Sequence, residues 1–285
     1  MQDKLKIIEC PRDAMQGLAG WIPTEKKAAY ISQLLRVGFD TIDFGSFVSP
    51  KAVPQMRDTA AVLDLLDLSA TTAKLLAIVA NLRGAQEAAT YAQINYLGYP
   101  LSVSETFQQK NTNRSIAQAL TDLQAIAEVC HRANKQLVVY ISMGFGNPYG
   151  DPYSPDIVAD MASTLQEMGV AVISLADTVG LATPHDVKSL FASLDTGGQG
   201  VEWGVHLHAT PGGAADKVRA ALQAGCRRVD GAVLGYGGCP MSGQELVGNI
   251  NTRIIVEEAE KLDLYTAVDK EALAVAEQMA AAVFA

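Results

Sequence analysis

Val201-Glu202-Trp203-Gly204-Val205-His206-Leu207-His208-Ala209-Thr210-Pro211-Gly212-Gly213 reads as a short strand that runs into a glycine-proline turn. Residues 213–224 then have helical spacing and stop at Gly225, a residue suited to the left-handed C-cap. A second aliphatic run follows at 228–232. The stretch is therefore one strand–helix–strand unit. It also carries two of the four histidines. Positions i and i+2 of a strand share a face, so His206 and His208 present two imidazoles side by side. Neutral imidazole is a common metal ligand, and a pair fixes two coordination positions at once.

The same unit recurs along the chain. Strand-like runs fall at 5–9, 39–43, 75–79, 94–97, 137–141, 171–175, 201–206 and 228–232. Helix-period stretches fall at 24–37, 50–66, 84–91, 115–133, 155–168, 184–194, 213–224 and 243–262, with a last amphipathic segment at 270–284. Gly38 and Gly169 stand where two more C-caps are wanted. Eight evenly spaced units in 285 residues predict an α/β fold of the (β/α)8 TIM-barrel type with an additional C-terminal helix. A doubly wound open sheet would need neither eight units nor so even a spacing. No composition shift or low-complexity tract marks a boundary, so residues 1–285 are expected to form one catalytic domain.

Composition narrows the function. A hydrophobic fraction of 49% is ample for a large core. No run approaches the roughly 18 to 20 apolar residues that cross a bilayer. The N-terminus enters a strand-like run without the pattern of a signal peptide. Four scattered cysteines, Cys10, Cys130, Cys226 and Cys239, read as reduced thiols in a cytoplasm. A net charge of −9 argues against nucleic acid or an anionic membrane as partner. An anionic small molecule stays open, because one metal ion and one arginine reverse a local field.

A barrel of this kind carries its active site at the C-terminal ends of the strands. That rule gathers Arg12, Asp13 and Gln16 after the first strand, Asp43 after the second, Asp177 after the sixth, the two histidines, and Cys239 after the eighth. Asp13 is the natural third ligand beside His206 and His208. A mixed oxygen and nitrogen donor set suits Mg²⁺ or Mn²⁺, with Zn²⁺ or Co²⁺ also fitting. Arg12 is permanently charged and suits a developing enolate or a carboxylate. Taken alone, an H-x-H pair is more often packing than a ligand pair, and Asp13, Arg12 or Cys239 alone would have ordinary structural readings. Placement at one mouth is what favours chemistry. His131 and His185 fall on helices and are expected toward solvent, and Cys10, Cys130 and Cys226 in the core.

These residues resemble the 3-hydroxy-3-methylglutaryl-CoA lyase family of metal-dependent TIM-barrel lyases, across roughly residues 6–253. The motifs are Pro11-Arg12-Asp13-Ala14-Met15-Gln16, Ser46-Phe47-Val48-Ser49-Pro50-Lys51, Val53-Pro54-Gln55-Met56, Lys110-Asn111-Thr112-Asn113, Ser174-Leu175-Ala176-Asp177-Thr178-Val179-Gly180, the strand-7 histidines, Gly237-Gly238-Cys239-Pro240 and Gly248-Asn249. The resemblance implies a divalent metal held by Asp13, His206, His208 and Asn249, the last of which the residues alone do not suggest. It implies roles for Arg12 and Gln16 at the substrate carbonyl, for Asp177 near its hydroxyl, and for Cys239 as a thiol that helps protonate the acetyl-CoA enolate, with Asp43, the strand-2 acid, also counted among the catalytic residues. The implied reaction is a retro-Claisen-type cleavage of a 3-hydroxyacyl-CoA to acetyl-CoA and a keto acid. Lys110, Asn111 and Asn113 are candidates for substrate binding, and the apolar end of the chain is compatible with a homodimer or higher homo-oligomer.

Departures from the family concern the substrate. Ala209-Thr210 stands where the lyases have Asp-Thr, Asp43 where they have Glu, and Gly45 where they have a hydroxyl residue. Met241-Ser242-Gly243 lacks the usual aromatic and lysine, and Arg253 replaces an acid. Two other readings keep the fold: a related aldolase or acyl-CoA condensing enzyme with the same metal site, and a catalytically impaired homologue that binds ligand without turnover.

Overall fold

The computed structural model describes residues 3–194, 200–238 and 247–284. Eight parallel strands close into a barrel: β1 (Lys6–Glu9), β2 (Thr41–Ser46), β3 (Lys74–Ile78), β4 (Ile94–Ser102), β5 (Gln136–Ser142), β6 (Val172–Ala176), β7 (Glu202–His206) and β9 (Arg228–Gly231), with β9 returning to β1. Two further strands, β8 (His208–Ala209) and β10 (Gly248–Asn249), form a separate antiparallel ladder. Helices join successive strands, and the helix Lys270–Val283 is the additional C-terminal one. The predicted barrel is the observed one.

Alternation along each strand sorts side chains between two layers. Leu75, Leu97, Val139, Ile173, Val205 and Val229 face out and join one large core with the helices. Leu76, Tyr96, Val138, Tyr140 and Val172 form a second, small cluster, which is the barrel interior. By the same alternation Asp43, Gly204, His206, Arg228 and Asp230 point inward. The interior is thus apolar on the β3–β6 side and polar along β7, β9 and the mouth.

Several elements differ from the sequence reading. The expected helix 50–66 is broken into a 3₁₀ turn, Pro54–Met56, and a short helix, Thr59–Asp64. Pro54 lacks the N–H that a continuous helix would need. The second strand runs three residues past Asp43, with a register shift between Asp43 and Gly45. Gly45 is required there: a Cβ would lie 2.5 Å from Thr59 Cγ2. Within the expected helix 243–262, of which residues 247–262 are described, Gly248–Asn249 is strand and the helix runs Thr252–Lys261, where Asn251 caps it by accepting from Arg253 N–H. Two helices were not anticipated, Pro11–Gln16 and Glu105–Thr112. Gly38, Gly169 and Gly225 take the expected left-handed φ values of 91°, 77° and 92°.

Candidate active site

The site begins where β1 turns into the helix Pro11–Gln16. Pro11 occupies its first position, which needs no N–H donor, and the single turn aims Arg12, Asp13 and Gln16 over the barrel mouth. Arg12 is buried and nearly saturated. Its Nε donates to both Asp43 oxygens at 3.2 and 3.0 Å, and its Nη2 to Asp43 Oδ2 at 2.6 Å. Its Nη1 donates to Asp13 Oδ1 at 3.0 Å and Gln16 Oε1 at 2.9 Å. Gln16 Nε2 in turn donates to Asp13 Oδ1 at 2.7 Å. Guanidinium carries five N–H hydrogens, so this network leaves one, on Nη2, uncommitted.

On the far side, β7 ends at His206 and the chain breaks pairing before His208. The histidines therefore sit on two strands, not one, with ring centroids 5.0 Å apart and planes at 66°. The β8–β10 ladder pairs His208 with Asn249 and so carries Asn249 to the mouth. Asn249 Nδ2 donates to Asp13 Oδ2 at 2.7 Å and to the Tyr236 carbonyl at 2.9 Å. With both amide hydrogens engaged, its oxygen is the atom left for a cation. Ligand atoms of Asp13, His206 and His208 all lie within 4.8 Å of one another.

Electrostatics suit that group to a divalent ion. Burial pushes Asp13 up, but Arg12 and the two histidines outweigh it and hold the carboxyl at about 2. Burial, helped by His206, lowers His208 to about 4. At neutral pH these two ligands are thus an anion and a neutral imidazole, the forms that bind metal. Burial raises Asp43 to about 6 even though Arg12 opposes it. For His206, burial works downward, yet the Asp230 hydrogen bond and charge leave its pKa raised.

Barrel topology places Arg12, Asp13, Gln16, Asp43, His206 and His208 at one mouth and the family resemblance adds Asn249; the structure brings all seven together. Asp177 lies at the end of β6 but turns elsewhere. Its Oδ2 accepts from Lys217 Nζ at 2.8 Å and its Oδ1 from the Ala182 N–H at 3.2 Å. Lys217 also donates to the Gly180 and His208 carbonyls, tying the loop after β6 to the ligand strand. Lys110, Asn111 and Asn113 lie exposed at the helix after β4, with Lys110 Nζ 4.2 Å from the centre of the Tyr149 ring. Cys239 lies outside the described residues. Cys10, Cys130 and Cys226 are buried free thiols, and His131 and His185 are exposed, as expected. Two residues went unnoticed in the sequence: Lys217, a lysine on the inner side of its helix, and Asp230, an acid within an aliphatic run.

Residues 4–280 match the model of the HMGL-like family. The chain belongs to the HMGL-like family. It is 35% identical over 263 residues to the hydroxymethylglutaryl-CoA lyase of Bacillus subtilis (strain 168), covering 92% of this chain and 87% of that protein. The crystal structure of the B. subtilis HMG-CoA lyase superposes with a TM-score of 0.92 at 34% identity, over 99% of this chain and 94% of that one. An HMG-CoA lyase from A. baumannii, solved in complex with coenzyme A and 3-methylmalate, superposes with a TM-score of 0.90 at 32% identity, over 99% of this chain and 92% of that one. Among the described residues, no helix is long and apolar enough to cross a membrane.

Proposed function

We propose that this chain is a divalent-metal-dependent carbon–carbon lyase that cleaves a 3-hydroxyacyl-CoA of the 3-hydroxy-3-methylglutaryl type to acetyl-CoA and a keto acid. The observation that carries this reading is the convergence of Asp13, His206 and His208 within 4.8 Å, with Asn249 hydrogen-bonded to Asp13. Mg²⁺ or Mn²⁺ suits these donors best, because a mixed set of two oxygens and two imidazoles with no thiolate favours a hard to borderline ion. When bound, the ion would act as a Lewis acid toward the substrate's oxygens.

The protein's own residues account for the rest. Arg12 sets its charge beside Asp13 and keeps one Nη2 hydrogen for the thioester oxygen, where negative charge grows as the bond breaks. Asp43 fixes the plane of that guanidinium through two parallel contacts. Gln16 holds Asp13 Oδ1 from the other side. The 3-hydroxyl gives its proton to a base at the mouth, C2–C3 breaks, the hydroxyl carbon becomes the ketone of the keto acid, and the acetyl-CoA enolate takes one proton back at carbon, so the proton count is unchanged. The resemblance assigns that last proton to Cys239. Asp177, committed to Lys217 and a loop amide, holds the wall of the mouth. Lys110, Asn111 and Asn113 are proposed for the CoA side, at the end of the helix Glu105–Thr112 that follows β4. We read the whole chain as a single catalytic domain working in a cytoplasm, as a homodimer or larger homo-oligomer.

The acyl group is the open variable, since Ala209 brings no acid to the ladder it forms with Gly248. A screen of 3-hydroxyacyl-CoA thioesters for acetyl-CoA release, with Mg²⁺, Mn²⁺ and EDTA arms, tests the reading. Release from a 3-hydroxy-3-methylglutaryl-type thioester is expected, and no release from any member would overturn it.

A further inference from the structure

The polar character of the mouth continues down β9. Arg228 and Asp230 are two residues apart on that strand, and Val229 between them packs in the outer core, so both side chains enter the barrel. Asp230 Oδ2 lies 3.1 Å from His206 Nδ1. Its Oδ1 has no hydrogen-bond partner among the described residues, and neither has any nitrogen of Arg228. Arg228 is fully enclosed, at 0% exposure. Gly204 on β7 makes room for it: a Cβ there would lie 3.1 and 3.2 Å from Arg228 Cδ and Cγ. The guanidinium carbon stands 5.5 Å from the ring centre of Tyr96, on β4 across the barrel. Glu202 Oε1, its one ion-pair contact among the described residues, is 3.8 Å away and is also held by Lys6.

A buried cation with free donors and a buried carboxylate with a free oxygen, on one face of one strand, are out of contact with each other but compensate by charge, and ordered water between them would satisfy both. The carboxylate's other oxygen meets a histidine that faces the mouth. Ligating histidines commonly donate their second nitrogen to a carboxylate, which fixes both tautomer and ring orientation.

We propose that Asp230, with Arg228 as its counter-charge, is the positioning residue for His206, holding Nδ1 protonated so that Nε2 is the lone-pair nitrogen offered toward Asp13 and His208. This rests on the reading of Asp13, His206 and His208 as a cation site. It assigns the interior of the barrel a share in metal affinity that no mouth residue supplies. The competing use of the same atoms is a second metal position, since ligand atoms of Cys10, His206 and Asp230 also lie within 4.8 Å of one another.

The test uses the full-length protein labelled with ¹⁵N-histidine, and Mn²⁺ and Zn²⁺ as probes. In metal-free protein at alkaline pH, the wild type is expected to show His206 as the Nδ1–H tautomer. Asp230→Ala should shift it toward Nε2–H and raise the Mn²⁺ Kd by about 10- to 100-fold. Asp230→Asn, which keeps the shape and an acceptor oxygen, should fold even if the alanine variant does not, and should recover part of the affinity. Arg228→Met should weaken Mn²⁺ binding by a smaller factor in the same direction. An unchanged tautomer and unchanged Kd in the Asp230 variants would overturn the proposal, as would a second equivalent of Zn²⁺ lost with Cys10→Ala. If the wild type bound no Mn²⁺, the cation-site reading would fall, while the tautomer would still report whether Asp230 positions His206.

Discussion

Asn249 Nδ2 lies 2.7 Å from Asp13 Oδ2 across 236 residues of sequence. Neither residue reaches the other through the barrel strands. The link is the two-residue ladder in which Asn249 pairs with His208 and Gly248 with Ala209. Asn249→Ala removes an oxygen donor and the hydrogen bond that aims Asp13. It should weaken Mn²⁺ binding by at least about tenfold with little change in fold. Calorimetric titration of both proteins reads this directly, and equal affinities would exclude Asn249 from the site.

Lys217 is the buried tie between Asp177, Gly180 and His208. Removing one partner of a buried pair leaves the other charge uncompensated, at a cost of about 3–5 kcal/mol. Lys217→Met should therefore destabilise by that order in denaturant unfolding. The double variant with Asp177→Asn should recover a large part of the loss. A single-variant effect within about 0.5 kcal/mol of wild type, the range of an ordinary surface change, would show that Lys217 is not structural.

Arg253, a departure from the lyase pattern, has a local explanation. Its Nε and Nη2 meet the two carboxylate oxygens of Glu277 at 2.7 and 2.5 Å, fastening the helix Thr252–Lys261 to the C-terminal helix. Arg253→Glu should cost about 1 kcal/mol, since the pair is partly exposed. Arg253→Glu with Glu277→Arg should restore it, and turnover should be unaffected in both. A large loss of turnover at unchanged stability would return Arg253 to the site.

Glu9 faces out of the barrel, with Oε1 accepting from Val233 N–H at 2.8 Å and Oε2 from Thr252 Oγ1 at 2.6 Å. Burial raises its pKa from 4.5 to about 8 against those hydrogen bonds. The folded state then holds this proton more tightly than the unfolded chain. Stability is consequently lost as pH rises from about 4.5 to about 8 and is level above that. A tenfold difference in proton affinity is worth about 1.4 kcal/mol, so the loss amounts to a few kcal/mol in order of magnitude. Glu9→Gln should raise the Tm at pH 9, with the gain vanishing near pH 4. A gain independent of pH would refute the assignment.

Much of this was legible in the sequence, for identifiable reasons. Eight aliphatic runs and their glycine stops specify a barrel, because period-2 and period-3.6 patterns are local. Barrel topology then places Asp13 beside His206 and His208. Asn249 is different, since a two-residue ladder has no periodicity to detect, and only the family resemblance pointed to it. Asp230 and Lys217 were hidden because their partners, His206 and Asp177, are set by closure of the sheet and by the reach of one lysine. The helix expected at 50–66 failed at Pro54, a breaker whose weight the apolar spacing around it masked.

The most direct measurement is acetyl-CoA release from 3-hydroxy-3-methylglutaryl-CoA by wild type and Asp13→Asn, each with Mg²⁺ or Mn²⁺ and with EDTA. The wild type should turn over with metal and stop with EDTA. Asp13→Asn, folded but short of its anionic ligand, should lose on the order of 100-fold or more at the same metal concentration. Release that ignores EDTA, or that survives Asp13→Asn intact, would contradict the account.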